Sequence, residues 1–75
     1  MKKKVLIMVM AMPDGASTCE ISAWLGIKYS RAWNLMNILT REGWLEKEKV
    51  ANEGTFYFPT EKAIHWFEGD MEFNV

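Results

Sequence analysis

The chain has 75 residues, a mass of 8.7 kDa, and a composition that is 49% hydrophobic and 13% aromatic. This composition excludes a disordered chain, and no apolar run approaches the roughly 18 residues that cross a bilayer, which excludes a membrane protein. The net charge of −1 is unevenly divided, because residues 1–49 hold eight Lys/Arg against five Asp/Glu, whereas residues 50–75 hold one Lys against five acids. The length predicts one domain over residues 1–75, with residues 70–75 as a flexible or docking tail.

Three lysines and an apolar stretch open the chain, an order that also occurs in secretory signal segments. The apolar stretch, residues 5–12, is followed at once by Pro13-Asp14-Gly15, without a convincing cleavage site. We therefore predict a structural helix over residues 3–12. The next three residues are predicted to form a turn, because proline fixes φ and glycine tolerates positive φ.

Residues 17–20, Ser-Thr-Cys-Glu, have the form of a capping box, in which a hydroxyl and a carboxylate satisfy the first backbone amides of a helix. The short second helix that follows ends at Gly26. Its predicted buried face is defined by apolar residues at i, i+3 and i+4. That face comprises Ile21, Trp24 and Leu25.

A third helix is predicted over residues 30–42 and ends at Gly43. Its apolar stripe follows the i, i+3, i+4, i+7 pattern and consists of Ala32, Leu35, Met36 and Leu39. The opposite face is polar without being acidic, and it carries Ser30, Asn34, Asn37 and Arg41. Residues 21–41 contain three basic residues and no acid, so this stretch is locally positive.

Beyond Gly43 the apolar period changes from 3.6 to about 2, which predicts a β-hairpin. Its strands are residues 44–50 and 55–58, and the turn between them is Ala-Asn-Glu-Gly. Pro59 closes the second strand, and Thr60 is the expected N-cap of a last helix over residues 61–68. The residues of that helix expected to face inward are Ala63, Ile64 and Phe67. Three further aromatic residues are predicted to lie in the core: Trp24, Trp44 and Phe56.

This order of elements is that of the winged helix-turn-helix, an α+β fold with a three-helix core, a two-stranded wing and a C-terminal helix. The run E-I-S-A-W-L-G-I-K-Y-S-R-A-W-N-L-M-N-I-L-T-R-E-G-W-L-E-K resembles, without a gap, the family's E-I-A-x-x-L-G-I-S-x-S-x-V-x-x-x-L-x-x-L-x-x-x-G-L-V-x-R. The run F-Y-F-P-T-E-K-A resembles the strand-to-helix junction of regulators similar to MarR. In size, the chain is similar to the very short fimbrial-type regulators such as PapI and FaeA.

The resemblance implies a sequence-specific DNA-binding regulator of transcription, bacterial or phage, whose third helix enters the major groove of double-stranded DNA. The amides of Asn34 and Asn37 suit adenine, and Arg31 suits guanine or a phosphate. With four to six phosphate contacts, log affinity should fall with log salt at a slope of about −4 to −5. The matching positions are Lys28, Tyr29, Ser30, Arg31, Trp33, Asn34, Asn37 and Arg41. Nonspecific phosphate attraction is expected from Arg41 and from Lys2, Lys3 and Lys4.

The wing departs from the family pattern, because its tip carries a glutamate where arginine or lysine is common. Its candidate DNA contacts are Lys47, Lys49 and Asn52, with acids interleaved between the lysines. Either the wing contributes little to DNA affinity, or it faces another protein. Trp33, on a flank of the third helix, either packs against a neighbouring helix or contacts DNA or a partner.

An alternative function is a protein-interaction module, an adaptor of another regulator or of polymerase with little DNA affinity. Its support is the acidic C-terminal third and the expected exposure of Trp33, Trp66 and Phe73. A second copy of the chain is a further candidate partner, since the tail offers apolar side chains. Both functions place the protein in the cytoplasm, the DNA-binding one at the nucleoid.

The chain has one cysteine and one histidine, which limits the disulfide, metal-binding and catalytic chemistry available to it. Cys19 excludes an internal disulfide, which favours a reducing compartment, and it is predicted to be structural. His65 has no second histidine, cysteine or acid pair at ligand spacing, so no metal and no cofactor are expected. No nucleophile, base and orienting group can be assembled from these residues, which argues against an enzyme.

Overall fold

Three helices, an antiparallel hairpin and a fourth helix follow one another in the computed structural model, which describes residues 1–69. The α+β order predicted from the sequence is confirmed. The first helix ends two residues earlier than predicted, and the third begins one residue earlier. The predicted tail, residues 70–75, lies outside the described residues. The elements are α1 (Lys2–Met10), α2 (Thr18–Leu25), α3 (Tyr29–Arg41), β1 (Leu45–Val50), β2 (Gly54–Pro59) and α4 (Glu61–Glu68).

The core is formed by one face of every element. The predicted stripe of α3 is buried at Ala32, Met36 and Leu39, with Leu35 half-buried beside it. α1 is packed into this core rather than lying on its surface, as expected of a structural helix. No helix in residues 1–69 is long and apolar enough to cross a membrane. The other fully buried apolar side chains include Val5, Leu6, Val9, Ile21 and Ala63.

The connection from α1 to α2 joins the helical core to the wing. The Ser17 hydroxyl accepts a hydrogen bond from the Glu20 amide, and the Glu20 carboxylate accepts one from the Ser17 amide, which confirms the capping box. Just before it, Ala16 pairs with Tyr57 of β2 through two backbone hydrogen bonds of 2.8 and 3.0 Å. Gly15 has a φ of +93°, and Phe58 packs directly against it.

The wing is a regular antiparallel ladder in which Leu45 lies opposite Pro59 and Val50 opposite Gly54. Asn52 has a φ of +68°, which the short turn requires and which asparagine tolerates better than most residues. The four charged residues at the centre of β1 are all exposed. The wing is therefore held to the body mainly through its first residue and through β2.

Three of the side chains predicted to face the core are exposed instead. Trp24 is 59% exposed, because the buried face of α2 is centred on Thr18, Ile21 and Leu25, about 90° away around the helix. In α4, Ile64 and Phe67 are exposed. Trp44 is half-buried and packs against the core, as predicted, and Phe56 is half-buried.

Trp66 takes the place in the core that was expected of its neighbours, being only 7% exposed. Its ring meets the ring of Trp44 edge to face, with a centroid separation of 6.2 Å. This contact rotates α4 so that Ala63 and Trp66 face inward. The expectation that Trp66 is exposed is therefore wrong, and Phe73 lies outside the described residues.

Thr60 occupies the N-cap position of α4, but its side chain does not cap that helix. Its hydroxyl donates instead to the carbonyls of Gly43 at 2.6 Å and Trp44 at 3.2 Å. Lys62 Nζ donates to the Glu42 carbonyl at 2.9 Å and lies 4.3 Å from the centre of the Trp44 ring. α4 thus stabilises the end of α3 and the start of the wing.

Candidate nucleic-acid interface

The outward face of α3 is open to solvent along its length. Among the predicted contact residues, only Asn37 is half-buried. Tyr29 and Trp33 are 58% and 49% exposed, so Trp33 packs on one side while half of its surface remains free. The exposed members of the set are Lys28, Tyr29, Ser30, Arg31, Trp33, Asn34 and Arg41.

The two asparagines of this face differ in their hydrogen bonding. The Asn37 amide donates to the Trp33 carbonyl at 2.8 Å, and its Oδ1 accepts from Lys47 Nζ at 3.4 Å. The Asn34 side chain makes no hydrogen bond to any described residue. Asn34 therefore has both its donor and its acceptor available for a ligand, whereas Asn37 is engaged with the wing.

The start of α3 is open toward anions. Lys28 at the N-cap makes no side-chain capping bond, and the first turn has no acidic residue. At the start of α2, by contrast, the Glu20 carboxylate occupies the corresponding position. Unpaired amides and the positive end of the helix dipole attract anions, so the start of α3 is the more favourable of the two for a phosphate.

The side chains of β1 divide by charge between the two faces of the wing. Successive residues of a strand point to opposite faces, so Lys47 and Lys49 share one face and Glu46 and Glu48 share the other. Lys47 reaches Asn37, which identifies the lysine face as the one beside α3. The glutamates lie on the face of Phe56 and Phe58. Residues 46–49 have no net charge, but the wing thus presents its two lysines toward α3.

A cleft of about 310 Å³ separates α3 from the wing. Aromatic side chains of α3 form one wall and both strands of the wing form another, while the start of α2 borders the cleft through Ser17, Thr18 and Cys19. Glu53, from the wing tip, brings one carboxylate to this cleft. The lining residues include Tyr29, Trp33, Lys47, Glu53 and Thr55.

The N-terminal lysines differ in their availability. Lys2 Nζ lies 3.3 Å from a Glu42 carboxylate oxygen, so its charge is already paired. Lys3 and Lys4 are exposed. Cys19 and His65 are exposed as well. In the described part of the chain, no group of three or more His, Cys, Asp or Glu side chains is arranged to hold a metal ion.

The sequence could indicate which residues line α3, but not the contact between Asn37 and Lys47. The two side chains are ten residues apart and lie on different elements. The only available signal was the alternation of Lys and Glu in β1, which predicts one cationic face without indicating which way it points.

Comparison with solved structures identifies the fold as that of MarR-type winged-helix regulators. The transcriptional regulator SlyA superposes with a TM-score of 0.82 at 17% identity, over 89% of this chain and 48% of that one. MepR, a transcription regulator of the Staphylococcus aureus multidrug efflux pump MepA, gives 0.82 at 20% identity, over 89% and 50%. MarR from E. coli gives 0.77 at 19% identity, over 89% and 50%.

The chain therefore spans about half the length of the regulators that it resembles. No protein-family model matches the sequence, and no curated protein matches it. At these identities the likeness shows the winged-helix fold, and the function has to be argued from the surface of α3.

Proposed function

We propose that this protein is a sequence-specific DNA-binding regulator of transcription that inserts α3 into the major groove. The observation that carries the proposal is the exposed, acid-free face of α3, on which Arg31 and Asn34 are open to a ligand. The names of the structural neighbours, which are transcriptional regulators, agree with this function. The proposal includes no enzymatic activity.

The proposed roles follow from the chemistry of each side chain. Asn34 makes the two-pronged contact to adenine, and Arg31 reads guanine or holds a phosphate. Lys28 and Ser30 bind a phosphate at the open start of α3. For Asn37 we propose a second role beside the adenine contact first expected, since its side chain donates to the Trp33 carbonyl and accepts from Lys47 of the wing at 3.4 Å. The phosphates farther from the centre of the site are contacted by Arg41, Lys47 and Lys49 and, at the wing tip, by Asn52.

An NMR titration with random-sequence duplex DNA at two salt concentrations tests this proposal. We expect shifts concentrated at residues 28–37 and on the lysine face of the wing. Each phosphate contact contributes about −0.9 to the slope of log affinity against log salt, so four or five contacts give about −4. Binding without salt dependence, or shifts confined to α4, would exclude the proposal.

Replacing Glu53 by glutamine is expected to strengthen DNA binding. The carboxylate borders the cleft between α3 and the wing, where it repels phosphate, and glutamine keeps its size while removing its charge. We expect a severalfold gain at low salt that shrinks as salt is raised, because screening weakens the repulsion. Glu61→Gln on α4 is the control, and an equal gain there would show that net charge, rather than position, is responsible.

A protein-interaction module is the second candidate function. The exposed indole of Trp24, beside a hollow bordered by Asp14 and Glu20, favours a contact with another regulatory protein or a second copy of the chain. Both functions place the protein in the cytoplasm. In the same titration, a module of this kind would leave residues 28–37 unshifted by DNA.

A further inference from the structure

Two large aromatic side chains interrupt the polar surface of α3 on the side that faces the wing. Tyr29 and Trp33 are four residues apart, so they lie on the same side of the helix about one turn apart. Both line the cleft beside Lys47, and about half of each side chain is exposed. The exposed aromatic surface therefore forms a short strip along the N-terminal half of the helix.

Packing within the fold covers only about half of the indole at position 33. The hydrogen bond that Trp33 makes with Asn37 uses its backbone carbonyl, which any residue would supply. The buried stripe of α3 is made by other residues, among them Ala32 and Met36, which are fully buried. Half of a large apolar surface stays in water, and covering it with a ligand would be favourable.

The major groove offers one kind of apolar group to such a strip. Among the base edges, only thymine carries a methyl group there, on C5. Trp33 lies about 100° around the helix from Asn34 and borders the cleft on the wing side, whereas Asn34 borders a separate hollow with Arg31. A helix that seats Asn34 on an adenine therefore places the indole on its flank, toward an adjoining base pair. Lys47 lies on the other side of the cleft, where it can hold the phosphate of the same strand.

Building on the proposed function, we propose that Tyr29 and Trp33 recognise the 5-methyl groups of thymine and that the preferred ligand of α3 is A·T-containing duplex DNA. Asn34 supplies the hydrogen bonds to adenine, and the aromatic strip supplies the apolar contact to thymine. A base pair without a methyl group binds more weakly, because the apolar surface of Tyr29 and Trp33 then stays exposed to water.

The test compares an alternating dA·dT duplex with the same duplex in which uracil replaces thymine, at one salt concentration. Uracil lacks only the 5-methyl group, so hydrogen bonds and phosphates are unchanged. Burial of one methyl group contributes about 0.8 kcal/mol, which corresponds to about a fourfold weaker affinity for the uracil duplex per contacted methyl. Trp33→Ala is expected to bring the two affinities close together, and Trp33→Phe to keep part of the difference.

Trp24→Ala is the matched control, since it removes an exposed indole from α2 and should leave the preference for thymine intact. Circular dichroism checks that each variant folds. Equal affinity of the unaltered protein for both duplexes overturns the thymine contact while leaving the proposed function standing. Loss of the preference in Trp24→Ala also overturns it. Failure to bind either duplex at low salt overturns the proposed function itself.

Discussion

Replacing Arg31 or Asn34 by alanine is expected to cost about 1–3 kcal/mol of DNA-binding free energy in each case and to relax discrimination at one base position. Both side chains are exposed on the acid-free face of α3, so neither substitution removes a core contact. The loss arises because a base edge that was hydrogen-bonded is left unpaired. Affinities for a selected duplex and for its single-base variants measure the effect.

Arg41→Ala is the control that separates the loss of a base contact from the loss of a positive charge. Arg41 lies at the C-terminal end of the same helix and carries the same charge as Arg31. Its loss is expected to weaken binding to all sequences about equally and to reduce the salt slope by about one. If Arg31→Ala and Asn34→Ala left the order of preferred sequences unchanged, α3 would not be the element that reads bases.

Asn37→Ala gives a second contrast within the same helix. Asn37 bonds to the Trp33 carbonyl and to Lys47, so its loss frees the wing lysine rather than a base contact. A change that affects all sequences alike is therefore expected. The comparison with Asn34→Ala tests whether Asn34 reads a base while Asn37 holds the wing lysine.

The helices could be predicted from the sequence because their ends and their apolar stripes are encoded locally. α3 has four apolar residues at helical spacing and a glycine after its end, and α2 begins at a complete capping box. Periodicity was less informative in α4, where Ala63 can share a buried face with either Phe67 or Trp66. The contact of Trp66 with Trp44 selects the second face, and this contact is not local.

The residues that share the outward face of α3 could be predicted from the sequence, but their side-chain contacts could not. Spacing alone placed Asn34 and Asn37 on one face, as the structure does, but it could not show that only Asn37 is hydrogen-bonded to other described residues. That difference depends on Lys47, which the hairpin brings next to Asn37. The register of the wing, with Lys47 opposite Tyr57, determines this approach. Tyr57 is in turn fixed by its pairing with Ala16, between α1 and α2.

Gly15 directly precedes this pairing and packs against Phe58, so a methyl group added at Gly15 is expected to destabilise the fold. Gly15→Ala is expected to lower the free energy of unfolding by about 2–4 kcal/mol, from strain at a φ of +93° and from overpacking. An added Cβ would lie 2.7 Å from Cζ of Phe58 and 3.2 Å from Cβ of Phe56. Urea denaturation followed by tryptophan fluorescence measures the change.

Gly54→Ala separates the two causes, because Gly54 has a similar φ of +102° but no atom within 4 Å of an added Cβ. It is expected to cost only the backbone strain, of about 1 kcal/mol. Phe58→Ala removes the nearest obstruction and leaves Cβ of Phe56 at 3.2 Å, so in that background Gly15→Ala should cost less than in the unaltered protein, although still more than Gly54→Ala does. If Gly15→Ala were no more destabilising than Gly54→Ala in the unaltered protein, the packing of Phe58 on Gly15 would not hold the wing against the helical core.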